Sequence, residues 1–233
     1  MTPLLDHRLW FPDPHSADIQ ARQRGLVAMG GDLAPERLLL AYRSGIFPWS
    51  VHPITWWSPD PRGIVEFDRI HISHRLEKTI RQQAAWAGEP GAENRSYQLT
   101  RNRCFRQVMI ECATRRVDGN WITSELIDAY TRLHELGHAH SVECWQQGEL
   151  AGGIYGVSIG GFFAGESMFY RTSNGSKIAF WGLVQHLQSR GFKLFDVQVL
   201  TPTTIQLGGS NISRNEYLGR LAVAAALPVS FED

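Results

Sequence analysis

The amino-acid sequence predicts an α+β fold, because helical and strand-like hydrophobic periods occupy different parts of its 233 residues. Before residue 137, apolar side chains recur every three or four positions in several segments, which is typical of amphipathic helices. From residue 139 the period changes to two, in the segments HSVECW, LAGGIYGVSIG and GFFAGESMFY. Short QQGE and GG turns join these segments, so we expect an antiparallel meander of three strands.

Residues 1–68 predict a small, loop-rich N-terminal domain. Proline and glycine interrupt short apolar pieces in FPDP, FPW and SPDPRG. One helix is predicted from Glu36 to Arg43, with Asp32 as its N-cap and Gly45 after its end. ITWWS and GIVEF predict short strands. We place a domain boundary after residue 68 and assign residues 69–233 to a larger second domain.

The second domain is predicted to contain further helices and one late strand. Helices are expected over 73–83, 102–115, 123–136 and 176–190 and in the final segment SRNEYLGRLAVAAA, and a strand is expected in KLFDVQVL. Residues 84–96 carry no period and predict a mobile loop. The strands and helices together predict a mixed sheet covered by helices.

Composition restricts the class of protein. The hydrophobic share of 43% is ordinary for a globular protein, and no apolar run reaches the length of a membrane span. The first residues lack the basic and apolar regions of a secretory signal. Three cysteines without a C-x-x-C pair argue against a disulfide scaffold or a thiolate zinc site. We expect a cytoplasmic protein.

Charge is unevenly distributed along a chain whose net charge is zero. Residues 1–68 carry −2, residues 69–116 carry +6 and residues 117–233 carry −4. In the basic middle part, Arg75, Lys78 and Arg81 fall on or near one face of a predicted helix. They predict a patch that binds phosphate groups, although a solvated arginine-rich helix surface would give the same pattern.

The segment His134 to His138 matches the H-E-x-x-H pattern of zinc metalloproteases. That chemistry needs both histidines on one continuous helix and a third ligand further along the chain. Gly137 falls where the apolar helical pattern ends, and the longer metalloprotease spacing would require a histidine where Cys144 stands. We therefore predict no metal site at this motif.

Polar residues interrupt two strongly apolar strands. Glu166 lies within AGESMFYR, and Asp196 and Gln198 lie within LFDVQVL. A period of two places Asp196 and Gln198 on one face, where a carboxylate could fix an amide that accepts a hydrogen bond from an attacking amine. An edge strand with its polar face in water would show the same pattern.

Tryptophans at turns and strand ends form a second group of candidate binding residues. Trp49, Trp56, Trp57 and Trp121 fall outside helical apolar faces. Such residues can stack on a nucleobase, and they can equally cover a hydrophobic core beneath a loop. The sequence contains neither a G-x-G-x-x-G loop nor a Walker A motif.

Long ordered motifs resemble one known family over nearly the whole chain. They are GLVAMGGDLAPERLLLAYRSGIFPWS, WWSPDPRGIV, WIT, YTRLHELGHAHSVECW, GGIYGV, GESMF, SNGSK, DVQVLT and LGG. The sequence resembles the leucyl/phenylalanyl-tRNA–protein transferases. The HELGHAHS segment belongs to that family's own pattern, which removes the peptidase interpretation independently.

The resemblance implies an enzyme that moves Leu or Phe, with Met as a further candidate, from aminoacyl-tRNA to the N-terminal Arg or Lys of a protein, which then enters N-degron degradation. It implies a GNAT-like fold for the second domain, no cofactor, and a protein that acts as a monomer.

Asp196 and Gln198 would be the catalytic pair, with Glu166 beside them. Trp49 and Trp121 would hold the 3′-terminal adenosine. The aminoacyl pocket would comprise Ile154, Met168, Phe180, Leu183 and Phe195. The basic segment would bind the tRNA acceptor arm.

Two positions depart from the family pattern, and two other functions remain open. Ile154 stands where the family often has methionine, and Thr203 stands where it usually has histidine. A GNAT-type acyltransferase that uses acyl-coenzyme A is one alternative, for which YRTSNGSK would be a poor pyrophosphate loop. A tRNA-binding module without catalysis is the other.

Overall fold

The computed structural model describes residues 2–16, 25–114 and 121–232. Within them the strands form two sheets. The smaller sheet has the order β1 (Leu4–Leu5), β2 (Leu26–Gly30), β4 (Ile54–Trp57) and β3 (Phe47–Val51). The larger sheet has the order β12 (Gly209–Ile212), β5 (Arg62–Val65), β11 (Leu194–Gln198), β10 (Phe162–Tyr170), β9 (Glu149–Ile159), β8 (Ala139–Gln146), β7 (Tyr97–Arg101) and β6 (Ala84–Trp86).

Helices cover both faces of the larger sheet. They are α1 (Pro35–Arg43), α2 (His74–Gln83), α3 (Phe105–Thr114), α4 (Ser124–Glu135), α5 (Gly175–Arg190), α6 (Pro202–Gln206) and α7 (Arg214–Ala225). Buried side chains of α2 and α5 share one hydrophobic core, which includes Leu76 and Leu183. Those of α1, α3, α4 and α7 share a second core with the smaller sheet, including Leu38 and Trp56. The α+β class is confirmed.

The larger sheet is mixed and mostly antiparallel, as the sequence predicts. Strands β8, β9 and β10 form the expected meander, with Ala139 opposite Val157 and Val157 opposite Ala164. Among the described strand pairs of the larger sheet, only β10–β11 and β6–β7 run parallel. A two-residue connection, Gly160 and Gly161, closes the β9–β10 hairpin, and Gly160 has a φ of +56° that suits a tight turn.

The strands β10 and β11 pair only at their beginnings. Phe162 to Ala164 pair with Leu194 to Asp196, and the pairing stops there. Beyond it, β10 has an irregularity between Gly165 and Ser167, which a one-residue bulge explains. The two strands therefore separate next to Asp196 and Glu166, and the polar residues of both strands lie where the sheet opens.

Several local expectations were wrong. Helix α1 begins at Pro35 after Ala34, and Asp32 instead accepts a hydrogen bond from the Ala34 backbone at 3.0 Å. Part of the predicted mobile loop over residues 84–96 is ordered, because Ala84–Trp86 pairs with Tyr97–Leu99 as strand β6. The short elements β1, β2, β3, β7, β12 and α6 were not expected, since none shows a clear apolar period in the sequence.

The domain boundary after residue 68 stays a prediction. Strand β5, which lies before that boundary, pairs with β11 and β12 in the larger sheet. Within the described residues, no helix combines the length and the apolar character that crossing a bilayer requires.

Candidate active site

Asp196 is completely buried and accepts four hydrogen bonds. Its Oδ1 receives the Nε–H of Arg62 at 2.9 Å and the backbone N–H of Gln198 at 2.8 Å. Its Oδ2 receives Nη2–H of Arg62 at 2.6 Å and the hydroxyl of Tyr217 at 2.8 Å. A carboxylate offers about four acceptor positions, so this set of donors satisfies the side chain.

Arg62, at the start of β5, is the counter-charge of Asp196 and is only 1% exposed. Its Nη1–H donates to the carbonyl oxygen of Gly45 at 3.0 Å, and its guanidinium lies 4.3 Å from the ring centre of Tyr217 and 5.0 Å from that of Phe47. Burial alone would lower the pKa of Arg62, but the charge of Asp196 outweighs it and raises that pKa.

Gln198 differs from the sequence expectation in its backbone. A regular strand would place Asp196 and Gln198 on one face, but the β5–β11 pairing is irregular between them and Gln198 has a φ of +55°. The structure still joins the two residues, through the hydrogen bond from the Gln198 backbone to Asp196. The Gln198 side chain donates from Nε2 to Oε1 of Glu166 at 2.8 Å. The polar atoms of all three predicted catalytic residues are therefore connected.

Glu166 is half-buried at the irregular part of β10. The hydroxyl of Tyr42 donates to its Oε1 at 2.8 Å and also forms a short hydrogen bond with the hydroxyl of Tyr130. Removal from water raises the pKa of Glu166 to about 8, against the effect of the Tyr42 hydrogen bond, which lowers it. The carboxyl group therefore titrates near neutral pH, where proton transfer is most effective.

The predicted aminoacyl-pocket residues lie together in one core. Ile154, Phe180, Leu183 and Phe195 are at most 5% exposed. Met168 is half-buried, packs against the same cluster, and stands opposite Ile154 in the β9–β10 pairing. The rings of Phe180 and Phe195 stack with their centres 5.6 Å apart. Met168 is the most exposed member of the group.

The two predicted adenosine-binding tryptophans lie on different elements. Trp49 in β3 is 40% exposed and packs beside Trp57, with ring centres 5.4 Å apart. Trp121 is half-buried just before α4 and packs against the core that contains α4. The hairpin after Trp49 contacts α4 through His52 and Glu125, whose Nε2 and Oε1 atoms are 3.1 Å apart.

Two surface cavities lie away from the carboxylate cluster. One of about 340 Å³ is lined by Phe11 to His15 together with residues of α7 and the end of α1. Another, of about 440 Å³, is lined by the exposed α2 side chains His74, Arg75, Glu77, Lys78 and Arg81. The three predicted tRNA-binding cations therefore share one groove. Neither cavity is lined by Asp196, Gln198 or Glu166.

The H-E-x-x-H match does not lie on one helix. Helix α4 ends at Glu135, and Gly137 has a φ of +78°. His134 stacks on Phe105 with ring centres 4.4 Å apart, and its Nδ1 lies 2.8 Å from the carbonyl oxygen of Ala139. Among the residues that the structure describes, no group of three or more His, Cys, Asp or Glu side chains could hold a metal ion.

Sequence reasoning missed Arg62, Tyr42, Tyr130 and Tyr217. Arg62 and Tyr42 lie inside two of the segments that carry the family resemblance, but neither residue interrupts an apolar strand as Asp196 does. Tyr217 and Tyr130 fall on the apolar faces of helices and read as core residues. Only the folded chain shows that their hydroxyl groups meet carboxylates or one another.

Comparison with known proteins assigns the chain to a family. A sequence profile described as "Leucyl/phenylalanyl-tRNA protein transferase" matches residues 64–222, and that of the N-terminal domain of the same proteins matches residues 31–60. The chain belongs to the leucyl/phenylalanyl-tRNA–protein transferase family. Members of this family are aminoacyltransferases, so the enzyme class predicted from the sequence is confirmed.

Curated relatives match almost end to end. The leucyl/phenylalanyl-tRNA–protein transferase of Aeromonas hydrophila is 42% identical over 99% of this chain and 94% of its own length. That of Edwardsiella ictaluri is 46% identical over 92% of this chain and 84% of its own. A GCN5-related N-acetyltransferase-like protein from Streptococcus suis is 16% identical, with a TM-score of 0.37 over 66% of this chain and 58% of its own. That similarity is too low to carry an argument.

The raised pKa of Glu166 predicts a pH dependence of stability. An ordinary glutamate ionises near 4.5, whereas Glu166 in the folded chain ionises near 8. Between these values the unfolded chain releases this proton and the folded chain keeps it, so the contribution of Glu166 to the free energy of unfolding falls as pH rises. Below 4.5 both states hold the proton.

The Glu166→Gln variant has no carboxyl group to ionise at this position. The difference in the free energy of unfolding between the variant and the natural chain should therefore shift steadily in favour of the variant from pH 5 to pH 8. Denaturant unfolding at each pH measures the difference, with Glu149→Gln at an exposed position of β9 as the control. Parallel stability curves for Glu166→Gln and the natural chain would contradict the raised pKa.

Proposed function

We propose that the chain transfers Leu or Phe from aminoacyl-tRNA to the N-terminal Arg or Lys of acceptor proteins, and so marks them for N-degron degradation. The observation that carries the proposal is the near end-to-end match to curated leucyl/phenylalanyl-tRNA–protein transferases at 42–46% identity. We further propose that it acts as a monomer in the cytoplasm, on tRNA and protein substrates and without a cofactor.

The reaction needs a base more than it needs an activating group. An aminoacyl ester is already activated, so the α-amine of the acceptor can attack it directly if the amine loses a proton. The new amide bond replaces the ester C–O bond, and the terminal ribose oxygen of the tRNA leaves as a hydroxyl group after it takes up that proton from the base. Free α-amines have a pKa of about 7.7–8.0. Glu166, with a pKa of about 8, matches that value and is our proposed proton acceptor.

Gln198 is our proposed positioning group for the amine. Its Nε2 donates to Glu166, and in the described residues no hydrogen bond engages its side-chain oxygen. That oxygen can accept one N–H of the amine while the neighbouring carboxylate receives the proton that leaves. Asp196 contributes through Gln198, since its own acceptor positions are already occupied.

The apolar cluster around Phe195 is our proposed pocket for the aminoacyl side chain. Met168 is its half-buried member, and a flexible methionine can move to admit a side chain of the size of Leu or Phe. Smaller side chains would leave part of the pocket unfilled, at a cost of about 1–3 kcal/mol for each missing methylene. Ile154, opposite Met168, is stiffer because it is branched at Cβ.

The proposed tRNA contacts divide into stacking and phosphate binding. Trp49 exposes enough of its ring to stack on a base, and we assign it with Trp121 to the terminal adenosine. The groove of α2 presents Arg75, Lys78 and Arg81 for the phosphates of the acceptor arm. The cations supply binding energy that does not depend on the tRNA sequence.

Single-turnover transfer tests the proposed chemistry. We expect Phe-tRNA to label an Arg-tipped peptide, with a rate that rises through an apparent pKa near 8 as Glu166 ionises. Glu166→Gln should lower that rate by about 10²-fold or more at unchanged tRNA affinity, whereas Glu149→Gln should retain it.

Other outcomes separate the competing functions. Full activity in Glu166→Gln would remove its role as the base. Transfer from acyl-coenzyme A alone would replace the aminoacyl-tRNA donor. If the natural chain binds tRNA but transfers no amino acid, it is a tRNA-binding module and not an enzyme.

Charge reversal tests the groove of α2. The double variant Arg75→Glu/Lys78→Glu should weaken tRNA binding and reduce the salt dependence of the dissociation constant, because fewer counterions are released. Filter binding over a range of salt concentrations measures both effects. A matched double variant at two exposed arginines outside α2, Arg8→Glu/Arg132→Glu, should bind nearly as the natural chain does. Equal losses in both double variants would place the tRNA site elsewhere.

A further inference from the structure

We infer that Arg62 is a positioning residue for the transfer reaction: it fixes Asp196, which in turn holds the Gln198 backbone in the turn that brings the Gln198 amide to Glu166. The inference rests on the proposed function and adds to it. It assigns a role to a residue outside the predicted catalytic set, and it separates Asp196 from the proton transfer itself.

The hydrogen bonds of Asp196 indicate that it does not take part in the proton transfer. The four donors around Asp196 leave no acceptor position for an incoming amine, and the side chain has no exposed surface. For Asp196 to take a proton, the contacts with Arg62 or Tyr217 would have to break inside the core. Glu166 is half-buried and accessible by comparison. The geometry therefore makes Asp196 a fixed anion next to the reaction rather than its base.

Every nitrogen of the Arg62 guanidinium group donates a hydrogen bond. It donates from Nε and Nη2 to the two oxygens of Asp196, and from Nη1 to the carbonyl oxygen of Gly45. The rings of Phe47 and Tyr217 both lie within 5.0 Å of its central carbon. This forked, planar arrangement fixes the orientation of the carboxylate, and a lysine ammonium group cannot reproduce it.

Gly45 allows this contact because its backbone lies against α7. It has a φ of +72°, and an added Cβ would meet Leu218 at 2.4 Å and Tyr217 at 3.0 Å. The close approach places the Gly45 carbonyl at Arg62. A bulkier residue here would displace the loop from α7 and from the guanidinium group.

The orientation of Asp196 matters because of what it holds. Oδ1 receives the Gln198 backbone N–H while that residue has a φ of +55°, a conformation that non-glycine residues rarely adopt. Without a fixed acceptor, the chain would return to an extended backbone. The Gln198 side chain would then leave Glu166. Arg62 thus acts on the reaction indirectly, because it fixes the Asp196 carboxylate, which in turn fixes the backbone turn at Gln198.

The N-terminal part of the chain therefore completes the reaction centre. Arg62, Gly45 and Phe47 all precede β10 and β11, which carry Glu166, Asp196 and Gln198. Tyr42 in α1 also belongs to this part, and it binds Glu166 directly. Each of the two carboxylates is held by a donor from the first 65 residues.

A double-mutant cycle on transfer kinetics tests the inference. Arg62→Lys alone should lower kcat by about 10- to 100-fold, the size expected when a reacting group is misplaced, with the KM for Phe-tRNA within about twofold of the natural value. In a Gln198→Ala background the same substitution should lower the remaining rate by less than about twofold, because the group that it positions is already absent. Arg220→Lys, on α7 and paired with Glu66 and Glu216, is the matched control and should retain full kcat.

The outcomes separate the role of Arg62 from general effects. An equal fold-loss of kcat from Arg62→Lys in the natural and the Gln198→Ala backgrounds would overturn the inference. A general structural defect would lower the rate by the same factor in both backgrounds. If thermal unfolding shows that Arg62→Lys is not folded, Tyr217→Phe replaces it in the cycle. That variant removes one hydroxyl donor to Asp196 and should give a smaller loss, again only when Gln198 is present. A natural chain that transfers neither Leu nor Phe would overturn the proposed function, and the inference with it.

Discussion

The buried ion pair of Arg62 and Asp196 is the interaction on which the candidate site depends. Removing two charges from water is costly, and such a pair is stable only when hydrogen bonds satisfy both groups. Here the carboxylate has four donors and every nitrogen of the guanidinium group donates. The pair also joins distant parts of the chain, since its two residues are 134 positions apart. Its main effect is to fix one arrangement of β5, β11 and α7.

The separation of β10 and β11 places Glu166 and Asp196 in different environments. β10 and β11 separate after Ala164 and Asp196, so Glu166 leaves the regular hydrogen-bond pattern and becomes half-buried. The two carboxylates then differ in environment. Asp196 has a bidentate counter-ion, whereas the donors to Glu166 among the described residues are the neutral side chains of Tyr42 and Gln198. This difference leaves Glu166 as the carboxyl group whose pKa burial raises, to about 8.

The sequence predicted the elements that have a clear period and the polar residues that interrupt them. The β8–β10 meander, the helices α1 to α5 and the helix α7 were expected. So were Glu166, Asp196 and Gln198, because a charge or amide in an apolar strand is conspicuous. The regular strand expected from Asp196 to Gln198 was wrong, since a local irregularity with a positive φ replaces it. Arg62 and Tyr217 could not be predicted, because their roles arise from contacts between elements that are distant in the sequence.

A structure bound to a stable 3′-aminoacyl-adenosine analogue would test the central claim most directly. The account predicts that the carbonyl carbon of the analogue lies beside Gln198 and Glu166, with room for an amine about 3–3.5 Å away, and that Asp196 still binds Arg62 through both oxygens. An analogue whose carbonyl group contacts Asp196 directly after release from Arg62, or which binds away from β10 and β11, would contradict it.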